Sequence, residues 1–350
     1  MLNHKQLVIY HFFQKDQSYI DNLIHFFAFG YSEDIDYIIV LAGNITITLP
    51  QFRNVRYLNT ENSNHDYGGY CKAISTIAKI EIYDYIFFIN SSTRGPFLVT
   101  TKKLNWTKPF IDLFEESVGI VGSSINILHG NTTFASLYNQ KFTNPLNYAH
   151  VQTTAYALSR ESLDILLKNG FYDQQPGLSK YDVVTQYELR LSQLLIAEGL
   201  NIRCLLPEYN RLDYRITIED INATSHYGDV CYRNSYFGRT VHPYEIMFIK
   251  TNREMYNDKY LDRLSYSMLQ NHTIDTEIIK ILKFSTYLER IKSAAQTDDL
   301  VSPQDQKLNP NQILDYVRGL IYSQPEYSTL LKHVIDSTTA IKIDKSVNIN

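Results

Sequence analysis

The sequence predicts an α/β fold: a mixed, mostly parallel sheet flanked by helices, followed by a helical C-terminal region. Three observations lead there. Apolar runs alternate with helical stripes through the first half of the chain. Runs such as YDYIFFIN (83–90) and VGIVGSSI (118–125) lack polar alternation, as strands covered on both faces do. Polar or glycine-rich segments follow these runs, at the strand ends where open parallel sheets collect ligands.

The elements follow in order. LVIYHFF (7–13) reads as a buried strand. QSYIDNLIHFFAFG (17–30) carries a helical stripe closed by Gly30. Strands are expected at 36–43 and 54–59, a helix at 67–80, and strands at 83–90 and 118–125. HVQTTAYALS (150–159) alternates and reads as one strand. A helix at 161–170 is stopped by Gly170, and a longer one at 180–199 is closed by Gly199. NIRCLLP (201–207) is a strand, and the pattern of 242–253 is mixed. Beyond it, Tyr256, Tyr260, Leu264 and Met268 repeat at four-residue steps, and 274–291 carries a second stripe. Residues 293–312 read as a linker. Short helices are expected at 312–322 and 325–336, the second opened by a Ser323–Glu326 capping box, and the last residues as frayed. The predicted division is 1–253 for the α/β domain and 254–350 for the helical region.

The 350 residues are 44% hydrophobic, with a formal net charge of -4 and a pI near 6.2. That balance gives no general attraction to nucleic acid or to an anionic membrane, so any basic site is local. Cys71, Cys204 and Cys231 form no metal-binding spacing and read as reduced thiols of a cytosolic protein. The N-terminal apolar stretch is short and reads as a strand, not a signal peptide, and no apolar run approaches a membrane span. Asn-x-Ser/Thr triplets read as chance in an Asn-rich chain.

Four places are able to carry chemistry. Glu188 falls between Val184 and Leu191 in an apolar stripe, so its carboxylate needs a partner, a cleft edge or a proton. It reads as a general base, or as a salt-bridge partner of Arg190 or Arg203. NSSTRGP (90–96) sets Asn90, Ser91 and Ser92 at a strand end, and Arg94 offers a fork suited to phosphate oxygens. NSNHDYGGY (62–70) places Asp66 before Gly68 and Gly69, ahead of helix N–H groups. His242 has His226, Asp229 and Lys250 near it in sequence, and reads as a structural histidine or a diphosphate ligand. His11 ends the first strand, and Gln152 sits in HVQ; both join the substrate-binding candidates.

The order of these motifs resembles that of nucleotide-sugar glycosyltransferases of the GT-A (Rossmann-like) fold. N-x-x-x-D-x-G-G is followed by YIFFINSST, and YELRLSQLLIAEG sits on a later helix. The resemblance spans roughly residues 5–253 and is similar to the rhamnan-synthesis-type transferases of surface polysaccharide assembly. It implies that Asp66 holds base and ribose, that Asn90-Ser91-Ser92 stands where a metal-binding Asp-x-Asp usually lies, that Glu188 is the base, and that His242 lies near the diphosphate. Asn-Ser-Ser supplies no carboxylate, and hard cations prefer carboxylate oxygens. The expectation is therefore no required cofactor, or weakly held Mn or Mg with Asp66 or His242 as ligand. Arg94, with His242 or Lys250, then stabilises the departing diphosphate.

The expected partners are a UDP-, dTDP- or GDP-linked sugar and a glycan or lipid-linked acceptor, with no nucleic acid. The expected reaction is inverting, with rhamnosyl transfer one option. The rival reading is a non-catalytic GT-A-like binder of a sugar nucleotide or glycan. A nucleotidyltransferase is disfavoured because HFFQKDQ, at the first strand end, has no glycine. The expected location is cytoplasmic, with the inner face of a membrane as an option. The C-terminal helices form a homodimer contact, recruit a peripheral membrane partner, or cover the core.

Overall fold

The computed structural model describes residues 4–98, 105–175, 177–253, 255–270, 274–281 and 283–296. In chain order the elements are β1 (Gln6–Phe13), α1 (Gln17–Gly30), β2 (Asp36–Ala42), β3 (Val55–Thr60), α2 (His65–Ser75), β4 (Tyr85–Asn90), β5 (Thr93–Arg94), α3 (Lys108–Ile111), β6 (Val118–Gly122) and β7 (Ile125–Leu128). They continue with α4 (Thr133–Lys141), β8 (Tyr148–Val151), β9 (Ala155–Ser159) and α5 (Arg160–Lys168). A helix then runs from α6 (Lys180–Val183) through a π-helical segment, Val184–Leu189, into α7 (Arg190–Ala197). The described chain ends with β10 (Asn201–Cys204), α8 (Pro243–Ile246), β11 (Ile249–Lys250), α9 (Asp258–Leu269), α10 (Thr276–Ile279) and α11 (Phe284–Gln296).

Seven strands form one sheet in the order β10-β6-β9-β4-β1-β2-β3. β4, β1, β2 and β3 run parallel, as do β10 and β6, while β9 is antiparallel to both neighbours. The expected mixed, mostly parallel sheet is therefore the one observed. Strands β1, β2, β4 and β6 are covered on both faces, which explains their apolar character, while the edge strand β3 is partly exposed. Along β1, Leu7 and Ile9 join one core with α2 and α7, while Val8, Tyr10 and Phe12 join the other with α1 and α11.

Two expected strands divide. HVQTTAYALS splits at Gln152–Thr154, where the Thr154 amide donates to the Gln152 carbonyl at 2.8 Å. β8 then pairs with β7 in a separate ribbon, and β9 enters the main sheet. VGIVGSSI splits as well: β6 lies in the sheet and Ile125 begins the ribbon. The predicted helix 274–291 also divides, because Lys283 takes a left-handed φ of 73° before α11. The helix terminators behave as expected, with Gly170 and Gly199 at φ of 64° and 87°.

α9 and α11 pack on each other, and α11 also touches α1. The expected helices at 312–322 and 325–336, most of the expected linker and the chain end lie outside the described residues. No described helix is long and apolar enough to cross a membrane.

Candidate functional site

Parallel strands β1 and β4 end side by side, with His11 opposite Asn90. Beyond them the chain turns away, and the N-terminal turn of α2, the helix from Lys180 and the strand β11 surround the gap. The result is a cavity of about 460 Å³. It brings together seven of the residues singled out from sequence: His11, Asp66, Asn90, Ser91, Ser92, Glu188 and Lys250.

Asn90 fixes the floor. Its amide nitrogen donates to Asp66 Oδ2 and to the Thr153 carbonyl, each at 3.0 Å. Its amide oxygen accepts from the Ser92 amide at 3.2 Å and the Ser92 hydroxyl at 2.5 Å. With both donors and the acceptor engaged, the side chain has one orientation. Ser91 closes the floor from the β1 side: its amide donates to the His11 carbonyl at 2.9 Å, and its hydroxyl accepts from the Phe13 amide at 3.1 Å.

Asp66 sits in the first turn of α2. Burial raises its pKa above the ordinary carboxylate value, Lys250 pulls it back, and Glu188 raises it further. All three groups line the cavity. Glu188 reaches the cavity half-buried, from the π-helical segment. Such segments are rare and concentrate at functional sites. Here the Thr185 hydroxyl donates back to the Tyr181 carbonyl of α6. The segment is fastened to α2 by a stack of Tyr187 on Tyr67, with ring centroids 4.7 Å apart and planes at 18°. Tyr187 thus faces the core while its neighbour Glu188 faces the cavity.

His11 is 4% exposed, and its Nε2 has no hydrogen-bond partner among the described residues. Burial, with His65 nearby, pushes its pKa down to about 3, so the ring is neutral. Gly69 makes room for it: a Cβ there would lie 2.3 Å from His11 Cδ2. Gly68 has a different task, since its Cβ would meet the Ser63 carbonyl oxygen at 1.9 Å, and it borders a separate, smaller pocket.

Three expected contacts are not made. Arg94 was assigned to phosphate, but it is 1% exposed and lies outside the cavity lining. Its Nη1 pairs with Asp262 at 2.9 Å and its Nε donates to Asn22 at 3.0 Å. His242 caps α8: Nδ1 accepts from the Tyr244 amide at 3.2 Å and Nε2 meets the Tyr260 hydroxyl at 2.8 Å. Burial lowers its pKa. Gln152 is fully buried, its amide donating to both Asp229 oxygens at 3.1 Å. None of the three lines the cavity: Arg94 and Gln152 are engaged by aspartates far along the chain, and His242 by the start of α8 and by Tyr260.

Sequence reasoning missed Lys15, Lys180, Tyr19, His65 and Asn252, which also line the cavity. Two of them carried a signal. Lys15 lies two residues past the end of β1, on the rim where ligands were expected. Lys180, Val184 and Glu188 recur at four-residue steps on one helix face. The lining thus opposes three lysines, Lys15, Lys180 and Lys250, to two carboxylates.

Asn90, Ser91 and Ser92 offer a divalent cation no carboxylate. Among the described residues no three His, Cys, Asp or Glu side chains are grouped to hold one. The Asn90 amide nitrogen donates to one of the two Asp66 oxygens, Oδ2.

No protein-family model matches the chain, and no curated protein matches it. Among solved structures, it is similar to the mannosyltransferase PcManGT from Pyrobaculum calidifontis in complex with GDP-Man and Mn2+. The identity is 10% and the TM-score 0.36, covering 97% of this chain and 81% of that one. It is similar to S. aureus TarS 1-349, at 10% identity and a TM-score of 0.34, covering 95% and 87%. It is similar to the galactosyltransferase LgtC in complex with donor and acceptor sugar analogs, at 9% identity and a TM-score of 0.35, covering 78% and 98%. At these values the likeness is one of strand and helix arrangement, and no residue role is carried over from it.

Proposed function

We propose that this chain transfers a sugar from a nucleotide-sugar donor to a hydroxyl of a glycan or lipid-linked acceptor, with inversion at the anomeric carbon. The observation that supports it is the cavity at the ends of β1 and β4, where two carboxylates face three lysines. A nucleoside diphosphate carries the charge that such lysines balance, and sugar hydroxyls match the neutral amide and hydroxyl groups of the floor.

In this reading Glu188 takes the proton of the acceptor hydroxyl as its oxygen bonds to the anomeric carbon. The bond from that carbon to the diphosphate oxygen breaks, and its electron pair leaves with the diphosphate. Lys250, Lys15 and Lys180 stabilise that developing charge. Asp66, held by Asn90, accepts a hydroxyl of the donor. No step here passes through a cation. Surface polysaccharide assembly is the proposed setting, and a rhamnosyl donor is one candidate.

The test is a thermal-shift panel of UDP, GDP, dTDP and CMP, each with manganese and each with a chelator. Stabilisation by one nucleoside diphosphate in chelator is the expected outcome. A shift that needs manganese returns the cation to the site, and no shift with any nucleotide defeats the donor reading. A bound nucleotide without transfer to any acceptor favours a non-catalytic binder.

A further inference from the structure

The helices after residue 253 touch none of the cavity, yet their buried charges lead to it. Asp262, on α9, is 2% exposed. It accepts from Arg94 Nη1 at 2.9 Å and from Arg290 Nε at 2.8 Å. Arg290, on α11, also pairs with Asp21 of α1, which is 2% exposed. Two arginines and two aspartates therefore balance in one layer, in which Arg94, Asp262 and Asp21 are buried and Arg290 is partly exposed.

From Arg94 the bonds pass upward through Asn22, which has no exposure at all. The Asn22 amide oxygen accepts from Arg94 Nε at 3.0 Å. Its amide nitrogen donates to the Ser91 carbonyl at 3.0 Å and to the Thr251 hydroxyl at 2.9 Å. Ser91 lines the cavity, and Thr251 stands between Lys250 and Asn252, which also line it. The Thr251 amide then donates to the Ser92 carbonyl at 2.9 Å. The same wall is held by backbone pairing, because Arg94 lies opposite Ile249 and Thr93 opposite Lys250.

We propose that Asp262 is a positioning residue, acting through Arg94 and Asn22 to fix the wall that presents Ser91, Ser92 and Lys250 to the donor diphosphate. The inference rests on the donor reading given above. Its physical basis is directional. Arg94 is bonded on one side to the helical layer and on the other to Asn22, whose single orientation sets two wall segments at once. Removing the Asp262 charge leaves Arg94 buried beside Arg290 without its counter-ion, and the arginine has to move. Movement of Arg94 carries β5 with it, and β5 carries β11 and Lys250.

The test is a double-mutant cycle on the full chain. The probe is whichever of UDP, GDP and dTDP the wild type binds most tightly. Affinity is measured by calorimetry at a temperature where circular dichroism shows every variant folded. Asp262→Asn is expected to weaken binding by about tenfold, Lys250→Ala by a similar factor, and the double variant by little more than Lys250→Ala alone. That shared loss is a readout that a purely structural role does not produce. Additive losses overturn the proposal. So does an Asp262→Asn chain of lower melting temperature and unchanged affinity, or a Lys250→Ala chain that binds normally. Should Asp262→Asn not fold, Arg290→Gln removes the outer partner more gently. It is then expected to weaken binding about threefold, and unchanged affinity overturns the proposal. A wild type that binds none of the three defeats the donor reading itself, and this inference with it.

Discussion

Two carboxylates in one cavity raise the question of which one moves a proton. Asp66 is tied: its Oδ2 accepts from Asn90, and burial holds its pKa above the ordinary value. Glu188 has no such tether among the hydrogen bonds described, and it comes from a segment whose helical spacing is widened. A base has to reach a hydroxyl at about 2.6–3.2 Å in the bound complex, and the freer carboxylate is better suited to that. Glu188→Gln keeps the shape and removes the acceptor charge. It is expected to lower transfer by ~10²-fold or more with donor affinity nearly unchanged. Asp66→Asn is expected to raise the donor Kd instead. Rates and affinities measured side by side separate the two; a loss of affinity in the glutamine variant with rate preserved would exchange the roles.

At the scale of elements, the start of α2 shows how backbone sets the site. Asn64 and His65 both take left-handed φ, 57° and 54°, and the chain folds back so that Ser63 lies against Gly68. Gly68→Ala forces a Cβ to within 1.9 Å of a backbone oxygen, which has no rotamer to retreat into. The expected cost is about 1–3 kcal/mol of stability, read from the urea midpoint. Gly69→Ala meets a side chain instead, and should displace His11 with a smaller loss. A midpoint unchanged by Gly68→Ala would show that the turn can open freely.

These elements were legible because their signals are local: apolar runs for the strands, stripes for the helices, glycines at two helix ends. Asp66, Asn90 and Glu188 were legible as candidates that share one cavity: Asn90 ended a strand, Glu188 broke an apolar stripe, and Asp66 preceded a glycine pair at a helix start. Arg94 was misread for a physical reason. An arginine in a polar loop looks free, and the aspartate that neutralises it lies 168 residues further along the chain. Gln152 failed in the same way, since Asp229 lies 77 residues further along, whereas His242 is taken up by the helix start it caps and by Tyr260. The split of 150–159 depended on a second sheet partner, which no local pattern announces.

For the whole molecule, the buried imidazoles set a pH limit on stability. His11 lies at the cavity floor. His25 joins α1 to the helical layer, with Nδ1 meeting the Tyr287 hydroxyl at 2.9 Å and the Ser265 hydroxyl at 3.1 Å, and Nε2 meeting the Pro96 carbonyl at 3.2 Å. Burial pushes both from an ordinary 6.5 down to about 3, Arg94 adding to the effect at His25. The unfolded chain therefore binds more protons than the folded one between those values. Stability from these groups is fully present above pH ~6.5 and is lost as pH falls toward the folded value. At pH 5 each imidazole costs roughly 2 kcal/mol, against a total of about 5–15 for an ordinary domain. His242, also lowered by burial, adds in the same sense. Asp66 runs the other way: its raised carboxyl favours the fold at low pH and loses that contribution as pH rises through its folded value. Measured in an Asp66→Asn background, the urea midpoint is thus expected to fall steadily from pH 7 to pH 5. Replacing His25 with Gln should lower the midpoint at pH 7 and make that slope distinctly shallower. An equal slope in both chains would mean that His25 keeps its proton in the fold, with the Tyr287 and Pro96 oxygens as acceptors for a charged ring.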